Sequence, residues 1–253
     1  MNWGALDLGI LGPAFVAGVL VLLTHVPLGI QVLGRGIVFI DLAIAQIAGL
    51  GVIAADAAGL PAGGWAVQAA AVSAALLGAA LLTWTERRAP DHQEALIGVV
   101  FILAACGGLL LLAGHPQGGE HLKDLLVGQI LWVQPSQLWA LAGMTAVLLA
   151  AMRLGGARRA GRFGFYAVFA LAVTVSVQCV GVYLVFASLI IPALGTRGLD
   201  GRRRLAWALG LGVAGYALGL GLSAVLDLPS GAVIVWTLAG CAALAAAMPA
   251  QGR

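Results

Sequence analysis

The chain has 253 residues, of which 62% are hydrophobic and only 9% charged, with a mean hydropathy of +1.04. Soluble domains carry charge at about 25% of positions, so this composition excludes an ordinary water-soluble globule. The formal net charge of +3 does not mark a nucleic-acid partner. Twelve of the 13 Lys and Arg residues fall in four short connectors and at the C-terminus, the pattern of cytoplasmic loops. The apolar runs are continuous rather than alternating, which argues for helices and against a β-barrel. The expected fold is therefore an all-α polytopic membrane protein, a single transmembrane domain over residues 1–253.

The first apolar run, residues 8–26, meets Pro27 and Gly29, where a helix is expected to stop. Residues 1–7 lack the basic stretch of a cleavable signal peptide. Arg35 is the first cytoplasmic mark and sets the N-terminus outside. The second span, residues 36–55, carries an acid, Asp41, and an amide, Gln46. A turn rich in Gly and Pro leads to a third span, residues 65–84, which ends in Glu86, Arg87 and Arg88. The fourth span is residues 95–113.

The loop GHPQGGEHLKD follows on the outer side and holds His115, Glu120, His121 and Asp124. Residues 125–132 make only about 12 Å of helix, too short to cross, and read as an interfacial or re-entrant segment stopped by Pro135. Ser136 then caps a fifth span reaching to residue 152. Arg153, Arg158, Arg159 and Arg162 form the third basic connector. The apolar run of residues 163–194 would reach about 48 Å as one helix, against a hydrocarbon core of about 30 Å. It should divide into two tight spans or a broken helix, with one break near residues 178–181 and another at Pro192.

Arg197 and Arg202 to Arg204 mark the fourth basic connector. The last spans, residues 205–225 and 232–248, return the C-terminus to the cytoplasm. Eight or nine crossings result. Gly215 and Gly219 form a small-xxx-small face suited to close helix contact, inside one bundle or between two copies. The three cysteines, Cys106, Cys179 and Cys241, lie in apolar runs at unrelated spacings and read as small buried hydrophobes.

No HExxH, GxSxG or P-loop motif occurs, so the chain is not expected to be an enzyme or to hydrolyse ATP itself. Asp41 is the clearest ionisable residue inside a span, and such a residue is costly in hydrocarbon. It either pairs or caps near the cytoplasmic end, or it lines a pathway for a cation. Gln46, five positions on, lies about 140° around an ideal helix, so the two share a face only if the helix is distorted, for instance by a π-bulge. In the outer loop, His115, Glu120, His121 and Asp124 are suitable metal-ligand types without the spacing of a closed site. That loop is either a metal-handling or a docking surface.

Four stretches carry a resemblance. PLGIQVLGRGIVFIDLAIAQIAGLGV resembles the first cytoplasmic loop and second helix of the membrane permeases of zinc- and manganese-uptake ABC transporters. EALIGVVFILAACGGLLLLAG with HLKDLLVGQILWVQPSQL is similar to their fourth helix and the helix-turn after it. VSVQCVGVYLVFASLIIPALGTRGL is the most specific match, and SAVLDLPSGAVIVWTLAGCAAL is similar to their last outer turn and helix.

The resemblance implies an inner-membrane permease subunit, homodimeric or pseudodimeric, with no cofactor of its own. A cytoplasmic ABC ATPase would use ATP and Mg, a periplasmic or lipid-anchored metal-binding protein would deliver the ion, and the divalent metal, zinc first, is the cargo. The family's second helix carries an acid and a histidine four residues later. Asp41 matches the acid; the histidine position is Ala45, or Gln46 if the alignment shifts by one. The connector from residue 153 to 162 is shorter than the family's. Manganese, iron or a chelated metal is the alternative cargo, and a stand-alone secondary transporter the alternative class.

Overall fold

The computed structural model describes residues 7–61, 64–112, 130–154 and 161–247. Nine α-helices run through these residues: α1 (Leu8–Arg35), α2 (Ile40–Ala57), α3 (Trp65–Arg88), α4 (Gln93–Leu112), α5 (Pro135–Arg153), α6 (Gly161–Val180), α7 (Val182–Gly195), α8 (Gly201–Leu226) and α9 (Ser230–Ala247). Short 3-10 turns, Pro90–His92 and Ile130–Trp132, lead into α4 and α5. Eight helices are long and apolar enough to cross a bilayer. The exception, α7, has 14 residues and covers about 21 Å.

The helices form two groups bridged by α6. In one, α2 packs against α3 and α4; in the other, α1 packs against α5, α7 and α8, and α9 closes on α7 and α8. Because α6 touches α2 and α3 on one side and α1, α5 and α7 on the other, it lies at the centre. Burial follows this plan. Two thirds of the apolar window of α6 is buried, against 17% for each of α4, α5 and α9, which present their flanks outward. Trp65, Trp84, Trp132, Trp139 and Trp207 are exposed at or near helix ends, where amphipathic rings suit a bilayer interface.

Three expectations need correction. The first concerns α1, which does not stop at Val26 but runs through Pro27 to Arg35. Proline is tolerated inside such helices when neighbours hold the backbone. Gly29, which reads in sequence as part of a break, is a contact point: a Cβ there would overlap the Leu189 carbonyl of α7. The turn comes later, at Gly36, which caps α1 with φ 69°. Arg35 therefore ends α1, and Asp41 lies in the first turn of α2.

The second correction concerns the apolar run after Arg162. It breaks at Gly181, within the expected stretch, where φ is 84° and a side chain would be strained. The further break at Pro192 is absent, because buried Pro192 lies in the last turn of α7, which continues to Gly195. The Thr196 hydroxyl closes that turn, donating to the Pro192 carbonyl at 2.9 Å. Third, Ser136 is not the cap of α5. Gln134 is the N-cap, Pro135 takes the first helical position, and Gln137 Oε1 accepts the Gln134 N–H at 2.9 Å.

Gly215 and Gly219 are occupied within the bundle: added Cβ atoms would meet Leu238 and Ile234 of α9, each at 2.6 Å. Small residues here let α8 and α9 approach closely.

Candidate functional site

Asp41 is the second residue of α2, after the N-cap Phe39. An acid in the first turn suits the positive end of the helix dipole. Its side chain is almost wholly enclosed, 1% exposed, and Oδ1 has no hydrogen-bond partner among the described residues. The N-cap Phe39 offers no side-chain cap, and the Asp41 carboxyl reaches only the backbone of Asp41 and Leu42. Position N3, where a capping box would place Glu or Gln, is Leu42. The cap comes instead from α4, whose Glu94 Oε1 accepts the Phe39 N–H at 3.3 Å.

Around this terminus the arginine-bearing end of the bundle is tied together by side chains. Gln93 donates from Nε2 to the Leu82 carbonyl at 3.0 Å and to the Tyr166 hydroxyl at 3.2 Å. The Arg35 guanidinium lies 4.0 Å from the centre of the Phe165 ring. Arg162 and Glu86 approach to 3.9 Å. The α1–α2 connector, the end of α3 and the starts of α4 and α6 thus share one node.

Gln46 stands apart from Asp41. It is half-buried and lines a narrow cleft of about 20 Å³, with Gly49 of α2, Ala104 and Gly108 of α4, Val177 of α6 and Val182 of α7. That space holds about one water. Asp41 is not among the lining residues. Helix α2 is regular from Ile40 to Ala57, with no π-bulge to bring the two side chains to one face. His115, Glu120 and His121, with Asp124, lie outside the described residues. Among the described residues no group of three or more His, Cys, Asp or Glu converges as a metal cluster.

A second ionisable residue inside an apolar run is His25. It lies within α1, fully buried, with Nδ1 3.0 Å from the Val21 carbonyl and 3.0 Å from Thr24 Oγ1. A carbonyl only accepts, so Nδ1 carries the proton and Nε2 keeps its lone pair. Nε2 is buried without a partner among the described residues. The test that singled out Asp41, an ionisable residue inside an apolar run, also applies to a histidine between Leu22 and Val26.

A bundle with eight helices long and apolar enough to cross a bilayer, among the described residues, defines a polytopic membrane protein. The chain belongs to the ABC 3 transport family, whose model matches residues 7–158 and 157–249, and it is an integral membrane protein. An uncharacterized membrane protein of Synechocystis, slr2045, is 29% identical over 180 residues, 63% of this chain and 64% of that protein. The match thus spans slightly less than two thirds of that relative. Among solved structures, PsaBC from Streptococcus pneumoniae in complex with a Fab superposes with a TM-score of 0.77 at 20% identity, covering 95% of this chain and 92% of that one. An inward-facing structure described as a metal-chelate type ABC transporter gives a TM-score of 0.66 at 15% identity, covering 92% and 84%. The fold is shared with both.

Proposed function

We propose that this chain is the membrane permease subunit of an ABC transporter for uptake of divalent metal ions, with zinc as the first cargo to test. A separate cytoplasmic ATPase would supply the ATP and Mg chemistry. A periplasmic or lipid-anchored metal-binding protein would deliver the ion to the outer side, and the loop of His115, Glu120 and His121, read from the sequence as outer, would face it. Two copies of the chain would work together in the inner membrane, each with its N-terminus outside and its C-terminus in the cytoplasm, an orientation that counts the short α7 as a ninth crossing. The observation that carries this reading is membership of the transport family along nearly the whole chain, together with an enclosed acid on α2.

Asp41 is the pathway carboxylate in this reading. An ion entering apolar surroundings loses its water, and an anionic oxygen has to replace it. The unpartnered Oδ1 is available for that exchange. With the proposed orientation Asp41 lies at the cytoplasmic end of α2, so it meets the ion late. Gln46, about 7.5 Å farther along the helix axis, offers an auxiliary oxygen.

The test is uptake of zinc and manganese by cells that depend on this protein. Asp41→Asn keeps the shape and removes the charge, and uptake is expected to collapse at an unchanged amount of protein in the membrane. Normal uptake by that variant sinks the pathway assignment. A second reading keeps the fold and changes the cargo to manganese, iron or a chelated metal. It is favoured by Ala45 and Gln46 standing where an imidazole would serve zinc, since hard cations prefer oxygen donors. Metal-specific growth rescue separates the two. A secondary transporter would instead lose uptake when the ion gradient is collapsed with ATP maintained.

A further inference from the structure

We infer that Glu94 is the positioning residue of the α2 pathway turn: it caps α2 from another helix and so fixes where Asp41 stands. The inference rests on the pathway reading of Asp41 and adds a residue and a coupling route to it. Three observations carry it. Nothing within α2 accepts the Phe39 N–H: Leu42 occupies the position of a capping-box acid, and the Asp41 carboxyl engages only the backbone of Asp41 and Leu42. Glu94, 55 residues away in sequence, takes the orphan Phe39 N–H on Oε1. Its other oxygen, Oε2, is buried with no hydrogen-bond partner among the described residues, while the bond to Phe39 lies at an exposed position.

The placement of Glu94 gives the contact a consequence. It is the second residue of α4, directly after the Pro90–His92 turn that closes the α3–α4 connector. Its neighbour Gln93 is buried and anchored to α3 and α6 through Leu82 and Tyr166. A displacement of that connector therefore pulls on the Phe39 N–H and turns the first residues of α2, Asp41 among them. Helix α2 need not move as a whole.

The experiment compares Glu94→Ala, Glu94→Gln and Asp41→Asn in the full-length protein, in cells lacking the native copy, with zinc or manganese alone as the probe. Membrane amount is fixed by immunoblot, and KM and maximal uptake per copy are read separately. Glu94→Ala removes the acceptor and is expected to raise KM by up to about 10-fold, the lower end of the cost of losing a group bonded directly to a metal ligand, because Glu94 acts through the Phe39 N–H, with a smaller change in maximal rate. Glu94→Gln keeps an oxygen for Phe39 and is expected to keep KM near that of the unaltered protein. An unchanged KM in Glu94→Ala while Asp41→Asn loses uptake overturns the positioning role and leaves the pathway reading intact. Equal losses in Glu94→Ala and Glu94→Gln overturn it too, since the effect then follows charge rather than the cap. Normal uptake in Asp41→Asn removes the pathway reading and this inference with it. If Glu94→Ala fails to reach the membrane, Glu94→Gln alone decides: a raised KM overturns the role.

Discussion

Helices α1 and α2 each bury an ionisable side chain, and they do so by different means. In α1, His25 is served by its own helix, with the Val21 carbonyl one turn back taking the Nδ1 proton. In α2, Asp41 stands at a terminus, at the positive end of the helix dipole, and the cap is lent by Glu94 of α4. A neutral imidazole bonded within one helix is a closed arrangement with a modest cost. A carboxylate at an externally capped end depends on what its neighbours do. The first belongs to the packed centre of the bundle, the second to a place where a moving helix could act.

The largest effect expected from this contrast is functional and falls on α2 alone. Asp41→Asn should lower initial metal uptake by at least the roughly 10-fold to 100-fold that losing a group behind a metal ligand costs. His25→Leu should leave uptake near normal. Equal losses in the two variants would erase the distinction.

The next effect is on stability and falls on α1. Gly29 meets the Leu189 carbonyl so closely that no Cβ fits. Gly29→Val should destabilise the bundle by about 1–3 kcal/mol, the usual cost of overpacking. Thermal unfolding of the detergent-solubilised protein reads it as a lowered Tm. The same substitution at Gly34, which has nothing within 4 Å of its Cβ position, should leave Tm much closer to normal.

These two glycines show what could be read from the sequence and what could not. Apolar runs separated by arginines located the helices, because a bilayer imposes length and loop charge directly on the chain. Gly181 was legible as a break for the same reason. Pro27 and Pro192 misled, since a proline stops a helix in water but is tolerated where neighbouring helices hold the backbone. Gly29 carries no local signal that tells a contact from a turn. At the candidate site Asp41 was visible as a charge in an apolar run. The Glu94 cap, 55 residues away, was not, because nothing in a single sequence announces which acid reaches a distant N–H. His25 was legible and was overlooked beside the stronger signal of a carboxylate.

His25→Leu tests how closed the α1 arrangement is. The imidazole loses one hydrogen bond to Val21, but an unpartnered Nε2 disappears with it. The Val21 carbonyl keeps the Thr24 hydroxyl as a donor, so no buried acceptor is orphaned and the stability change should stay within about 1 kcal/mol. A larger loss, read by thermal unfolding, would mean that Nε2 has a partner in the working protein.

The smallest effect expected lies at the joint between the two helices. Arg35 ends α1 and rests its guanidinium over Phe165 of α6, at an exposed position next to the turn that leads into α2. A cation over a ring at an exposed site contributes about 0.5–1 kcal/mol, so Arg35→Ala should lower stability by that amount. Arg35→Lys should recover part of it, because an ammonium keeps the charge without stacking its plane on the ring. If the joint only holds α1 against α6, metal uptake in both variants stays near normal while Tm falls slightly. A KM shift in Arg35→Ala comparable to that of Glu94→Ala would place Arg35 with α2, and would move the boundary between the two helices' roles back across the Gly36 turn.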